Sequence, residues 1–161
     1  MLRRRWPLIR RHLKYLALAA GALLLQAVVL QELPVFGVTL SVLPVAAVAI
    51  AMREGPVSAG LWGYGVGWLC DAVVPHSAAY HAIALLILCA AIAWVCREAL
   101  KLSLPLAVLM SLGTLVLVQF FYFILFFIIP ARAPFSAMPQ MVLLTALLSA
   151  PLAVVAYPLT K

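Results

Sequence analysis

Few side chains in this sequence could do chemistry, and most of them fall between Gly60 and His81. Asp71 is the one acid set inside a long apolar stretch; His76 and His81 follow it at intervals of five, across Pro75. Carboxylate and imidazole are ligand types for a metal, and they also suit a proton relay or an ion pair. The five-residue spacings across a proline turn match no established ligand pattern. A hydrogen bond or ion pair holding helices together is the plainer reading, with a solvated helix end as the blandest. Gln119, Tyr122 and Arg132, later in the chain, are the further polar residues that could join a cluster with Asp71 and His81.

The rest of the inventory is thin. The four acids, Glu32, Glu54, Asp71 and Glu98, are scattered, so neither paired carboxylates nor a Ser-His-Asp arrangement can be read. Cys70, Cys89 and Cys96 form no CxxC pair and read as small buried hydrophobes. Neither a cofactor nor a metal is expected, and an enzyme is the least favoured class.

Gly60, Gly63 and Gly67 precede Asp71 at helical spacing. At about 100° per residue all four lie on one stripe, with Gly65 on another face. Small residues on a stripe let a second backbone come close, which is how helices associate where lipid removes the hydrophobic drive. An acid at the end of such a stripe is costly unless it faces protein or water. The glycine helix therefore reads as the element around which the other segments are arranged.

Those segments are apolar enough to sit in lipid. The chain is 68% hydrophobic and 9% charged, against roughly 25% charge in a soluble domain. At about 20 residues per span, 161 residues hold about six helices and little else, which excludes a separate catalytic or nucleotide-binding domain. The expected fold is an all-α membrane bundle, with residues 1–14 as a basic cytoplasmic segment and 15–161 as one membrane domain. The spans are expected at about Tyr15–Leu30, Phe36–Met52 with a kink at Pro44, Pro56–Val74, Tyr80–Cys96, Pro105–Ile129 and Gln140–Leu159 with a kink at Pro151. The aromatic run at Phe120–Phe123 is expected at a lipid-facing or interfacial surface.

Charge placement orients the bundle. Arg3, Arg4, Arg5, Arg10, Arg11 and Lys14 precede the first span; with Arg53, Arg97, Lys101 and Lys161 they would all be cytoplasmic, leaving Arg132 outside. That asymmetry is what an even number of spans with both termini inside requires. The net charge of +7 thus reads as a topology signal and a membrane-surface patch, not as a nucleic-acid footprint.

At Gly63-x-x-x-Gly67-x-x-x-Asp71, with His81 and Ala82 following, the chain resembles the MreD family of rod shape-determining membrane proteins. The length, basic N-terminus and span plan agree over the whole chain, and the detailed match covers Arg53 to Ala82. Two features depart from the family pattern. Pro44-Val45 stands where a Pro-Asp pair is common, and Pro75 and Ala79 stand where the family tends to have glycine. The resemblance implies a non-enzymatic scaffold of the bacterial cell-elongation machinery, multi-pass in the cytoplasmic membrane. Its partners would be an MreC-like protein and other elongation proteins, coupling MreB filaments to peptidoglycan synthesis, with a second copy of the chain as a further candidate. A rival class is the substrate-binding S component of an energy-coupling factor vitamin transporter, whose fold is similar. In that reading Trp68, Asp71, His81, Gln119 and Arg132 would line a ligand cavity, and Ala17 and Gly21 would meet a partner.

Overall fold

A computed structural model describes residues 6–30, 41–73, 79–98, 103–125 and 140–160. Every element among them is helical: α1 (Trp6–Leu24), continued by a π-helical stretch Leu25–Leu30, α2 (Val42–Ala51), α3 (Pro56–Val73), α4 (Tyr80–Glu98), α5 (Leu104–Phe123), α6 (Thr145–Ser149) and α7 (Ala153–Leu159). Among the described residues, α4 and α5 are long and apolar enough to cross a membrane. At 1.5 Å per residue they reach about 30 Å, the thickness of a bilayer's hydrocarbon core. Val142–Ser149 and Ala153–Leu159 qualify together as a third, bent by 48°. The break is a 3₁₀ turn at Ala150–Leu152, where Pro151 has no N–H to continue the ladder.

The exterior is as apolar as the interior. Leu61, Trp68, Ile87, Trp94, Leu109, Phe121 and Leu147 are all more than half exposed. A fold facing water does not present large hydrophobics from every long helix; facing lipid, it must.

The centre is α2, not the glycine helix. Every residue from Val42 to Ala51 is buried, and four of them are alanine: Ala46, Ala47, Ala49 and Ala51 let α1, α3, α4, α5 and α7 approach. One side of α2 packs with Ala19, Ala59, Val66 and Leu85, while Val45 and Ala49 meet Leu115, Ala146 and Ala153 on another. The expectation that the other spans frame α3 is corrected accordingly.

The expected second span is also corrected. Ser41 is extended (φ −107°, ψ 97°), so the helix begins at Val42; residues 31–40 lie outside the described set. Pro44 falls in the first turn, where a missing N–H breaks nothing, so it does not kink α2. A helix start leaves four N–H groups without helical acceptors. Here all four are accounted for. Ser41 N–H donates to Ser149 Oγ at 2.9 Å, Val42 and Leu43 N–H both donate to Gln26 Oε1 at 3.0 Å, and Pro44 has none to satisfy. Gln26 comes from the π-helical end of α1 and is buried.

The far end of α2 is tied down by charge. Arg11 pairs with Glu54, donates to the Arg53 carbonyl at 2.8 Å and to Tyr15 Oη at 2.9 Å. Arg53 donates to Thr160 Oγ1 at 2.7 Å, and its guanidinium lies 4.7 Å from the centre of the Tyr157 ring. The start of α1, the α2–α3 turn and the end of α7 therefore share one end of the molecule. Two expectations change with this. The chain is already helical at Trp6, ahead of Tyr15, because Arg, Lys and Leu are strong helix formers that carry α1 through the basic segment. And Arg11, its side chain 40% exposed, also ties α1 to the α2–α3 turn, whereas Arg10 and Lys14 are exposed; Arg3, Arg4 and Arg5 lie outside the described residues.

Replacing Gln26 with Leu strands two buried donors, and at about 1–3 kcal/mol each the expected loss is several kcal/mol. Gln26→Glu keeps an acceptor and is expected to lose less. Thermal unfolding in detergent measures both; equal losses would mean that the cap contributes nothing.

Candidate functional site

Helices α3 and α4 run antiparallel in close contact along the glycine stripe. A Cβ built on Gly63 would lie 2.9 Å from the Cys89 Cβ and closer still to the Leu85 carbonyl oxygen. On Gly67 it would lie 2.6 Å from the Ala82 nitrogen, with the Ala82 Cα and the His81 carbonyl also in the way. Gly60 is less crowded, at 3.4 Å from Ala90 Cβ and the Leu86 carbonyl. Gly65 has nothing within 4 Å. The tightest approach is thus at Gly63 and Gly67. The facing stripe on α4 is itself small at Ala82, Cys89 and Ala93, all buried. That spacing was present in the sequence and is the signal that would have paired the two helices.

One turn beyond Gly67, the stripe ends in Asp71. Its Oδ1 accepts from the His81 backbone N–H at 3.1 Å and lies 2.8 Å from His81 Nδ1, while Oδ2 accepts from Ala82 N–H at 3.0 Å. His81 and Ala82 are the second and third residues of α4. The carboxylate of one helix thus occupies the N-terminal donors of the next, where the helix dipole favours negative charge. It also makes Nδ1 the protonated nitrogen of the His81 ring. The carboxylate and the imidazole are only 8% and 6% exposed, so the pair is closed to bulk water.

The backbone bends sharply to allow this. Ala79, just before α4, has φ 62°, in the left-handed region that costs a residue with a Cβ about 1 kcal/mol. It is one of the two positions at which this chain departs from the glycine preference of the MreD pattern.

Aromatic residues close the site from α5. The Tyr122 ring centre is 5.4 Å from that of His81 and 5.8 Å from that of Tyr80. Tyr80 Oη donates to the Val118 carbonyl at 2.8 Å, pinning α4 to α5. The aromatic run is accordingly divided: Phe121 is exposed, whereas Phe123 is buried and Tyr122 turns to the polar pair. Gln119 is half-buried and has no hydrogen bond to Asp71 or His81. Arg132 and His76, the other partners considered for Asp71, lie outside the described residues. Tyr122 joins the polar cluster as the sequence suggested, whereas the capping role of Asp71 and the part played by Tyr80 were not read from the sequence.

The arrangement orders helices. Among the described residues no three His, Cys, Asp or Glu side chains come together as a metal site, and Cys70, Cys89 and Cys96 are buried free thiols. No protein-family model, curated protein or solved structure matches the chain.

Glycine substitutions are expected to have opposite signs on the two faces of α3. Gly63→Ala and Gly67→Ala push against backbone and are expected to cost about 1–3 kcal/mol or more. Gly65→Ala gains helix propensity, about 0.5–1 kcal/mol, with room for the methyl group. Melting temperatures of the three variants in detergent decide; a destabilised Gly65→Ala would contradict the packing described.

For Asp71 the expected order of stability is Asp, then Asn, then Ala. An amide oxygen can replace one carboxylate oxygen, but the amide NH₂ then faces a backbone N–H. One donor is stranded in Asp71→Asn and at least two in Asp71→Ala, at about 1–3 kcal/mol each. Equal stability of Asp71→Ala and the parent chain would remove the cap.

Proposed function

We propose that this chain is a non-enzymatic, multi-pass scaffold of the bacterial cytoplasmic membrane, acting in cell elongation in the manner of MreD. It crosses the membrane about six times with both termini in the cytoplasm. It contacts an MreC-like protein and other elongation proteins through helix faces, and so couples MreB filaments to peptidoglycan synthesis.

The observation that carries this reading is the use made of the GxxxGxxxD stripe. Gly63, Gly67 and Asp71 are spent on joining α3 to α4, and the carboxylate already has three donors within 3.1 Å. A vitamin-binding S component would need Asp71 and His81 open to a ligand, whereas both are closed by Tyr80 and Tyr122. The contacts among Arg11, Arg53, Glu54 and Thr160 support the proposed topology, because they gather at one end the segments that the charge bias assigns to the cytoplasm.

Depletion in a rod-shaped bacterium is expected to round the cells irrespective of vitamin supply, and Asp71→Ala to complement poorly. Reporter tags at 99–102 and 130–139 are expected in opposite compartments. Unchanged shape on depletion, with a stoichiometric vitamin retained by the purified protein, would give the chain to the transporter class instead.

A further inference from the structure

We propose that the groove between α1, α2 and α7 holds an acyl chain of an anionic phospholipid, with Lys14 and Arg10 on its phosphate. The inference rests on α1 being embedded with its basic end at a lipid headgroup, and not on the scaffold role.

The groove encloses about 540 Å³, and its α1 wall runs through Lys14, Ala17, Gly21 and Leu25, with Val155 and Leu159 opposite on α7. Those α1 positions recur at three and four residues and so form one face. Gly21 is exposed, and a Cβ there would meet nothing within 4 Å. The small residues at 17 and 21 are therefore not spent on packing against another helix of this chain, unlike Gly63 and Gly67.

Length suits the occupant. Leu25 lies eleven residues after Lys14, about 17 Å of helix at 1.5 Å per residue, close to the depth of one leaflet of a hydrocarbon core about 30 Å thick. An apolar groove of that reach with a cation at its mouth takes one acyl chain of a lipid seated in the same leaflet.

Charge selects the headgroup. The lining is apolar except at Lys14, which stands at the same end as Leu159 and therefore at the end marked by the Arg53–Thr160 contact. Arg10 extends the same face by one turn and is exposed, whereas Arg11 is turned away to Glu54. Two cations above an apolar slot match a phosphodiester above an acyl chain. Basic pockets between membrane helices on the cytoplasmic side bind anionic headgroups in this way.

The test uses the full chain, delipidated in detergent and loaded with phosphatidylglycerol or with phosphatidylcholine of identical acyl chains, bound lipid being read by native mass spectrometry. Phosphatidylglycerol is expected to be retained at least tenfold better. Lys14→Gln is expected to weaken it about fivefold, the equivalent of about 1 kcal/mol per surface cation, and the Arg10→Gln, Lys14→Gln double variant to abolish the preference. Gly21→Leu and Val155→Trp, which fill the slot from either wall, are each expected to lower retention of both lipids at least tenfold. If Gly21→Leu does not accumulate, Val155→Trp carries that arm alone. Excess glycerol 3-phosphate is expected not to displace the lipid, since a headgroup without a chain leaves the slot empty. Equal retention of the two lipids, retention unchanged by the accumulating slot variants, or dimers cross-linked through Gly21→Cys in membranes would each overturn the proposal. Cell shape on depletion bears on none of these arms, so this proposal and the scaffold reading fail separately.

Discussion

The constraint on which the structure depends is the complete burial of α2. A helix with no exposed residue cannot turn its first N–H groups to solvent, and in an apolar interior each one left unpaired is costly. The cap therefore comes from elsewhere in the chain. Gln26 supplies two acceptors' worth of bonding from α1, Ser149 supplies one from α6, and Pro44 removes the remaining donor. Because Gln26 and Ser149 flank α2 in sequence on opposite sides, this one helix start fixes α1 and α6 relative to each other.

The same device recurs at α4, with a charge in place of an amide. Asp71 reaches the first turn of α4 only because Gly63 and Gly67 let α3 approach to backbone contact. Packing and capping are thus coupled: a methyl group on Gly67 would move the carboxylate away from its donors. This coupling accounts for a buried acid in an apolar helix without a ligand or a proton relay. At the opposite end, Arg11 and Arg53 do comparable work, holding the α2–α3 turn between α1 and α7. Polar side chains are few in this chain, and Gln26, Asp71, His81 and Ser149 among the buried ones join one helix to another.

The apolar surface is the remaining feature to be explained. Glycines that meet a neighbouring helix, at 63 and 67, are distinguished from one that meets nothing, at 21, although each belongs to a small-residue spacing. The first kind builds the fold, and the second leaves an apolar groove open along α1. The distinction lies in the opposing wall, which no single helix carries.

What the sequence determined by itself was therefore local. Apolar runs, proline and glycine punctuation and the bias of basic residues gave helices and most of their ends, from Pro56 opening α3 to the bend at Pro151. The stripe of Gly60, Gly63, Gly67 and Asp71 was likewise visible in the sequence, because helical periodicity places those positions on one face. Tertiary structure alone decided that α2 is central, that Asp71 caps α4 beside His81, and that Arg11 ties α1 to the α2–α3 turn. The physical reason is that lipid and protein interior are both apolar. A segment such as VLPVAAVAIA is hydrophobic on every face, so its pattern does not distinguish a helix surrounded by helices from one surrounded by lipid. The partners of Gln26, Asp71 and Arg11 on other helices lie ten to forty-three residues away, and only the packed bundle brings them within hydrogen-bonding reach.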